Sequence, residues 1–279
     1  MMKVNTPREK KQINNTYDIK NKDRKEIDES LKYASYIQKA ILPSAVALKR
    51  LLPEHFLIFI PRDIVSGDFY YLAQKKNQLF LAVADCTGHG VPGAFMSILG
   101  LTFLNEIIHH SHFTGAASIL NQMREKIMNA LRQTGDDNEQ KDGIDMALGI
   151  VDSETNKLNF AGAFNPAYIV KKNRLVEMQG DKMPVGIAAD EEKSFTDQYC
   201  ELDEGDLIYL FTDGFVDQFG GPKGKKFKYQ PFRSLILSIS SMPIHQQREK
   251  LINIFNTWKG NLPQLDDVLL LGWRYHRNN

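Results

Sequence analysis

With 279 residues, 42% of them hydrophobic and 25% charged, the chain is long enough for one large domain or two modest ones around a sizeable core. A formal net charge of +1 gives no overall basis for binding nucleic acid, and two cysteines, Cys86 and Cys200, exclude a disulfide framework and point to a reducing compartment. The first residues, "MMKVNTPREKKQINN", lack the apolar stretch of a secretory signal, and no uninterrupted run approaches the ~18 apolar residues of a membrane span, so a cytoplasmic protein is expected.

Residues 1–26 are polar and rich in lysine and asparagine, the composition of a disordered tail. Ile27, Leu31, Ala34, Ile37 and Ile41 recur at threes and fours and predict a helix that Pro43 stops. Residues 27–43 thus read as a linker helix ahead of a domain spanning 44–279. The runs "FLIFI", "DFYYL" and "LFLAVA" predict strands, separated by turns such as "AQKKNQ". Pro92 lies in the first turn of a helix running through "GAFMSILGLTFLNEII". A second helix covers "AASILNQMREKIMNALRQ" and is closed by the acidic loop "TGDDNEQKDG".

A further strand series is predicted at "DMALGIVD", "KLNFAGA", "AYIVKK", "RLVEM", "SFTDQYCEL" and "DLIYLFTD". Two helices, near Pro231–Ser241 and Ile244–Trp258, precede a last strand "DVLLLGWR". Strand runs broken by paired helices, rather than strict alternation, give an α+β class with antiparallel sheets.

Aspartate is a poor strand former, yet four acidic sites sit at the edge of apolar runs: Asp68 in "VSGDFYY", Asp85 in "VADCTGHG", Asp213 in "LIYLFTDGF", and Asp266 with Asp267 in "LDDVLLLGW". Asp152 in "VDSETN" and Asp203 in "LDEGD" read as ordinary turn formers. If the strand ends meet at one edge, the carboxylates repel one another and need cations. Oxygen ligands favour Mg²⁺ or Mn²⁺ over zinc. In "DCTGHGVPGAF", Gly88 and Gly90 allow close backbone approach to an ion or phosphate, and the helix N-terminus at Pro92 favours an anion.

Metal-binding acids beside an anion site indicate phosphate-ester chemistry. Other routes lack their residues. Neither cysteine is followed by an arginine-bearing phosphate loop, and G-x-S-x-G, HExxH and GxxxxGK[ST] are all missing from the sequence. A two-metal nuclease or phosphodiesterase is the rival chemistry. It calls for a basic groove, whereas lysines cluster only at "PKGKKFKY", which reads as a solvated loop.

Together, "DIVSGDFYY", "ADCTGHGVPGAFMS", "LFTDGFVDQF" and "LDDVLLLGW" resemble, in order, the SpoIIE-type branch of the PPM metal-dependent serine/threonine phosphatases, relatives of protein phosphatase 2C. "NFAGAFNPAYIV", "GDKMPVGI" and "GKKF" add to the resemblance, which covers roughly residues 35–275. It implies two packed antiparallel β-sheets flanked by helices, with two divalent cations, Mn²⁺ or Mg²⁺, at one end of the sandwich. It further implies Asp68 as a ligand of one metal and Asp85 as the bridging carboxylate, with the Cys86 backbone carbonyl beside it and Asp213 and Asp266 as remaining ligands.

Asp267 stands where many relatives have asparagine, which implies a supporting role behind the ligands. Relatives with a histidine two residues after the bridging aspartate use it as a candidate general acid. Here that position is Thr87, and His89 is either a proton donor or a shaper of its glycine loop. Arg62 lies near the phosphate-holding arginine of such relatives, one residue out of register.

The mechanism implied is direct attack on a phosphoserine or phosphothreonine monoester by a water shared between the cations. A catalytically weak signalling module of the same fold is the alternative. The resemblance also implies a phosphoprotein substrate akin to an anti-sigma-factor antagonist, an upstream sensor or coiled-coil input, and a homodimer formed through the N-terminal helix.

Overall fold

The structure, a computed structural model, describes residues 25–134, 141–188 and 193–277. Most of the expected disordered tail, and residues 135–140 of the acidic loop, lie outside the described residues. Two antiparallel sheets form the centre. One has five strands in the order β1 (His55–Ile60), β13 (Val268–Arg274), β10 (Leu207–Phe211), β6 (Ala167–Lys171) and β7 (Arg174–Met178). The other runs β2 (Phe69–Lys75), β3 (Gln78–Cys86), β4 (Gly143–Asp152), β5 (Lys157–Ala163) and β9 (Gln198–Glu201), with the short β8 (Val185–Gly186) also paired to β4.

Helices α3 (Val91–His110) and α4 (Ala116–Leu131) cover the six-stranded sheet, and α6 (Tyr229–Ile239) and α7 (Ile244–Lys259) cover the five-stranded one. The central strands therefore bury both faces, which explains their near-continuous apolar runs. In β13, Leu269, Leu271 and Trp273 join the core shared by the two sheets, while Val268 and Leu270 pack with Phe232, Leu251 and Phe255 beneath α6 and α7. β10 divides in the same way, with Ile208 and Leu210 turned to one core and Leu207, Tyr209 and Phe211 to the other. Both cysteines are free thiols.

The observed class is the expected α+β sandwich, with local differences. "SFTDQYCEL" is strand only over Gln198–Glu201. Sequence periodicity misses the short α2 (Ala45–Leu51), whose first turn is capped by Ser44 Oγ accepting from the Ala47 amide at 3.2 Å. It also misses a hairpin of β11 (Phe219–Gly220) and β12 (Lys225–Lys226), which follows the one-turn α5 (Gly214–Asp217). By length and composition α3 could cross a membrane, although no uninterrupted apolar run suggests it; half of its apolar window is buried in the domain.

The first helix, α1 (residues 25–41), forms where its periodicity predicts a helix and leaves much of its apolar stripe open. Of the apolar stripe, Ile27, Ile37 and Ile41 remain 59%, 47% and 45% exposed, while Ser35, Gln38 and Leu42 are buried. The reason is polar. Gln38 Nε2 donates to the Ser66 carbonyl (2.6 Å) and to Ser97 Oγ (2.8 Å), and its Oε1 accepts from the Ser66 amide (3.0 Å). Buried backbone groups that have no sheet partner must find one, and the glutamine supplies it, rotating the apolar stripe outward.

Candidate active site

Antiparallel pairing brings the ends of five strands to one edge of the sandwich. Asp68 precedes β2, Asp85 is the penultimate residue of β3, and Asp213 follows β10 by one residue; Asp266 and Asp267 precede β13. Phe69 pairs with Ala84, and Phe211 with Leu270, so all these acids lie at the same edge. The four expected ligands are thus brought together. Asp145, which lies inside a predicted strand, faces Asp85 directly in register and belongs to the same group. Its signal is present in the sequence: like Asp68, it is an acid just before a buried apolar run.

The carboxyl groups feel one another strongly. Burial, then the charges of Asp85 and Asp267, hold the Asp68 carboxyl well above the usual carboxylate range. Asp85 is raised by burial, then by Asp213, Asp266 and Asp145. Asp145 is pushed up to about 7 by burial and the neighbouring Asp213. Asp213 rises to about 6, chiefly from burial, with Asp217 and Asp266 adding repulsion and Lys226 opposing it. Burial also raises Asp266.

Two oxygens, Asp68 Oδ1 and Asp213 Oδ1, are buried without a hydrogen-bond partner. Orphaned anionic oxygens in an all-oxygen donor set fit hard divalent cations. Among the described residues, no three acid, histidine or cysteine groups close around a single point.

Supporting contacts fix the set. Thr212 Oγ1, unremarked in the sequence, donates to Asp68 Oδ2 at 2.8 Å. Asp267 is buried and accepts from the Arg62 amide through Oδ1 and the Gly67 amide through Oδ2, both at 2.7 Å. It thereby holds the loop ahead of Asp68. The Asp267 amide in turn donates to Asp266 Oδ1 at 2.8 Å. Arg62 directs Nη1 to the Leu265 carbonyl at 2.9 Å, and its charge counts among those acting on Asp266.

His89 sits on the rim, its Nδ1 2.9 Å from Asp63 Oδ2, a partner that sequence reading does not identify. Gly88 and Gly90 adopt φ of +85° and +65°, which turns the chain sharply between β3 and α3. No side chain caps α3. A cleft of about 270 Å³ is lined by Asp85, Cys86, Thr87, Gly88, His89, Asp145 and Asp266. A larger cavity, about 730 Å³, lies at the opposite end by Gln74, Leu79 and Trp273, and no acid lines it. Asp152 accepts from the Glu154 and Thr155 amides, the turn role expected of it.

The family model for stage II sporulation protein E (SpoIIE) matches residues 75–276. The phosphoserine phosphatase RsbU of Bacillus subtilis (strain 168) is 24% identical over 198 residues, 70% of this chain and 55% of its own length; the chain thus spans about half of that curated relative. The SiaA-PP2C domain of Pseudomonas aeruginosa superposes with a TM-score of 0.82 at 32% identity, covering 91% of this chain and 99% of that one. The PP2C phosphatase domain of SpoIIE from Bacillus subtilis, solved with a regulatory fragment, gives a TM-score of 0.66 at 16% identity and covers 81% of this chain and 64% of that one, a likeness of fold. With its acids gathered at one sandwich edge and most of its length matching the family model, the chain belongs to the SpoIIE family of PP2C-like domains.

Proposed function

We propose that the chain is a metal-dependent protein serine/threonine phosphatase acting on a phosphoserine or phosphothreonine monoester of a regulatory protein, in the manner of an anti-sigma-factor antagonist. The observation that carries this reading is the convergence of Asp68, Asp85, Asp213 and Asp266 with two buried, unpartnered carboxylate oxygens. Two divalent cations, Mn²⁺ or Mg²⁺, would supply an activated water and neutralise phosphate charge.

The residues divide the remaining tasks. Asp68, Asp85, Asp213, Asp266 and the Cys86 carbonyl would hold the cations. Thr212 and Asp267 keep Asp68 and its loop in place. The uncapped first turn of α3 and the Arg62 guanidinium face the phosphate with positive charge. His89, oriented by Asp63, lines the cleft rim, where it is placed either to donate to the leaving oxygen or to shape the glycine loop. The test is release of phosphate from an aryl phosphate and from a phosphoserine peptide in Mn²⁺, Mg²⁺ or chelator. Equal release in chelator rules the proposal out.

Cys86 contributes its main chain only. Burial, then the charges of Asp85 and Asp68, push its thiol well up, so it stays protonated and is a poor ligand. Cys86→Ala is expected to retain most turnover in a phosphate-release assay. A loss as deep as that from removing Asp85 would place sulfur in the metal shell.

The first helix is proposed as a control element and dimer seam. Its exposed Ile27, Ile37 and Ile41 suit pairing with a second copy, and Gln38 ties it both to the loop before Asp68 and to Ser97 of α3. Deleting residues 1–42 is expected to lower the mass in solution and weaken metal affinity. If mass, turnover and metal affinity all stay the same, the helix only packs.

A further inference from the structure

Between Asp217 and Glu249 the sequence holds no acid but six cations: Lys223, Lys225, Lys226, Lys228, Arg233 and Arg248. In a chain of net charge +1 this is a strong local imbalance. The two arginines are engaged, Arg233 with Glu177 and Arg248 with the Leu57 carbonyl. Lys226 pairs with Asp217 at 2.6 Å. Among the described residues, Lys223, Lys225 and Lys228 have no partner and are exposed.

The sequence suggests a solvated loop, but the lysines stand on a fixed platform. Phe219 and Gly220 pair with Lys226 and Lys225 across the hairpin. Gly220 and Gly221 lie so close to Trp258 that a Cβ on either would collide with it, and the Gly221 amide donates to the Trp258 carbonyl at 2.8 Å. Trp258 Nε1 donates to the Gln218 carbonyl at 3.0 Å, and the Phe227 ring meets Phe215 and Trp258 edge-on.

The platform adjoins the acids. Lys226 Nζ lies 2.6 Å from Asp217 Oδ2, the Asp217 amide donates to the Asp213 carbonyl at 2.9 Å, and the Lys228 amide donates to the Val216 carbonyl at 2.7 Å. A phosphorylated side chain at those acids therefore lays its neighbouring residues, at ~3.3 Å each, across or beside the hairpin.

Resting on the phosphatase reading above, we propose that Lys223, Lys225 and Lys228 form a docking rim for an acidic segment flanking the phosphorylated serine or threonine of the substrate. Exposed lysines on a rigid edge act on encounter and KM through charge complementarity, and salt screens them. They select which phosphoprotein is presented, while the acids act on the phosphate.

The test compares two phosphoserine peptides, one flanked by glutamates and one by lysines, with the full chain and with the triple variant Lys223→Glu, Lys225→Glu, Lys228→Glu. Lys226 is left in place because of its tie to Asp217. The wild type is expected to favour the acidic peptide by about tenfold or more in kcat/KM at low salt, through KM, and to lose the preference in high salt. The triple variant is expected to abolish or reverse it, and fluorescence anisotropy should show the same loss in binding. Equal kcat/KM for the two peptides, or an unchanged preference in the triple variant, overturns the inference. So does equally tight binding of single-stranded RNA at the same lysines, which would make the rim a general polyanion site.

Aryl phosphate, having no flanking chain, separates the two readings. Turnover of it without peptide preference defeats the rim alone. Lysine-dependent binding of the acidic peptide without hydrolysis of any phosphate defeats the phosphatase reading alone.

Discussion

Asp85→Asn is expected to lower metal-dependent turnover by more than about 100-fold, beyond the 10–100-fold typical of residues that only support a metal site. Asp213→Asn should act similarly. Each removes an anionic oxygen from a set in which Asp68 Oδ1 and Asp213 Oδ1 already lack protein partners. The fold should persist. Asparagine conserves shape, and in the metal-free protein it relieves repulsion that Asp85 shares with Asp213, Asp266 and Asp145. The combination to look for is lost phosphate release with an equal or higher melting temperature in chelator. Retained turnover in both variants would falsify the two-cation site.

The second large effect is on stability without metal. Asp145 and Asp213 have folded-state pKa values of about 7 and about 6, above the usual 3.8. Between 3.8 and those values the folded state binds more protons than the unfolded chain, so stability falls as pH rises through this window and levels off above it. Each tenfold change in proton affinity is worth about 1.4 kcal/mol, which makes the loss a few kcal/mol for each of the two carboxyls. His276, raised by Glu204 and Glu54, loses stability in the same direction, whereas Glu54 and Glu204, both lowered, matter only below about pH 4.5.

In chelator the melting temperature should therefore be higher at pH 5 than at pH 7.5. Asp145→Asn should flatten the profile. Mn²⁺ at pH 7.5 should restore stability, because a ligand that binds only the folded state stabilises it by mass action. A chelated protein more stable at pH 7.5 than at pH 5 would show that the acids are not crowded as described.

Much of this was legible because the edge acids interrupt otherwise apolar strands, a pattern with few structural explanations. Asp68, Asp85, Asp213 and Asp266 could be singled out from the sequence as strand-edge acids, as could the glycine turn at Gly88 and Gly90. Alternation and run length gave the strands and the paired helices, since burial on both faces leaves long apolar runs. Other features belong to tertiary structure, because each depends on a partner far along the chain. Asp145 joins the site only through its register with Asp85. Thr212 meets Asp68 across 144 positions, and Asp63 meets His89 across 26.

The first helix shows the same limit. Its periodicity predicts a helix with an apolar stripe, but only packing shows that Gln38 turns inward to the Ser66 backbone while Ile27, Ile37 and Ile41 stay exposed. The lysine run reads as solvent-facing by composition, and Trp258, 30 or more residues later, makes it a rigid edge beside Asp213. Local pattern therefore determined the elements and the kind of chemistry. Packing decided which residues share the site and which faces remain open, because hydrogen bonds and charges are satisfied in space rather than along the chain.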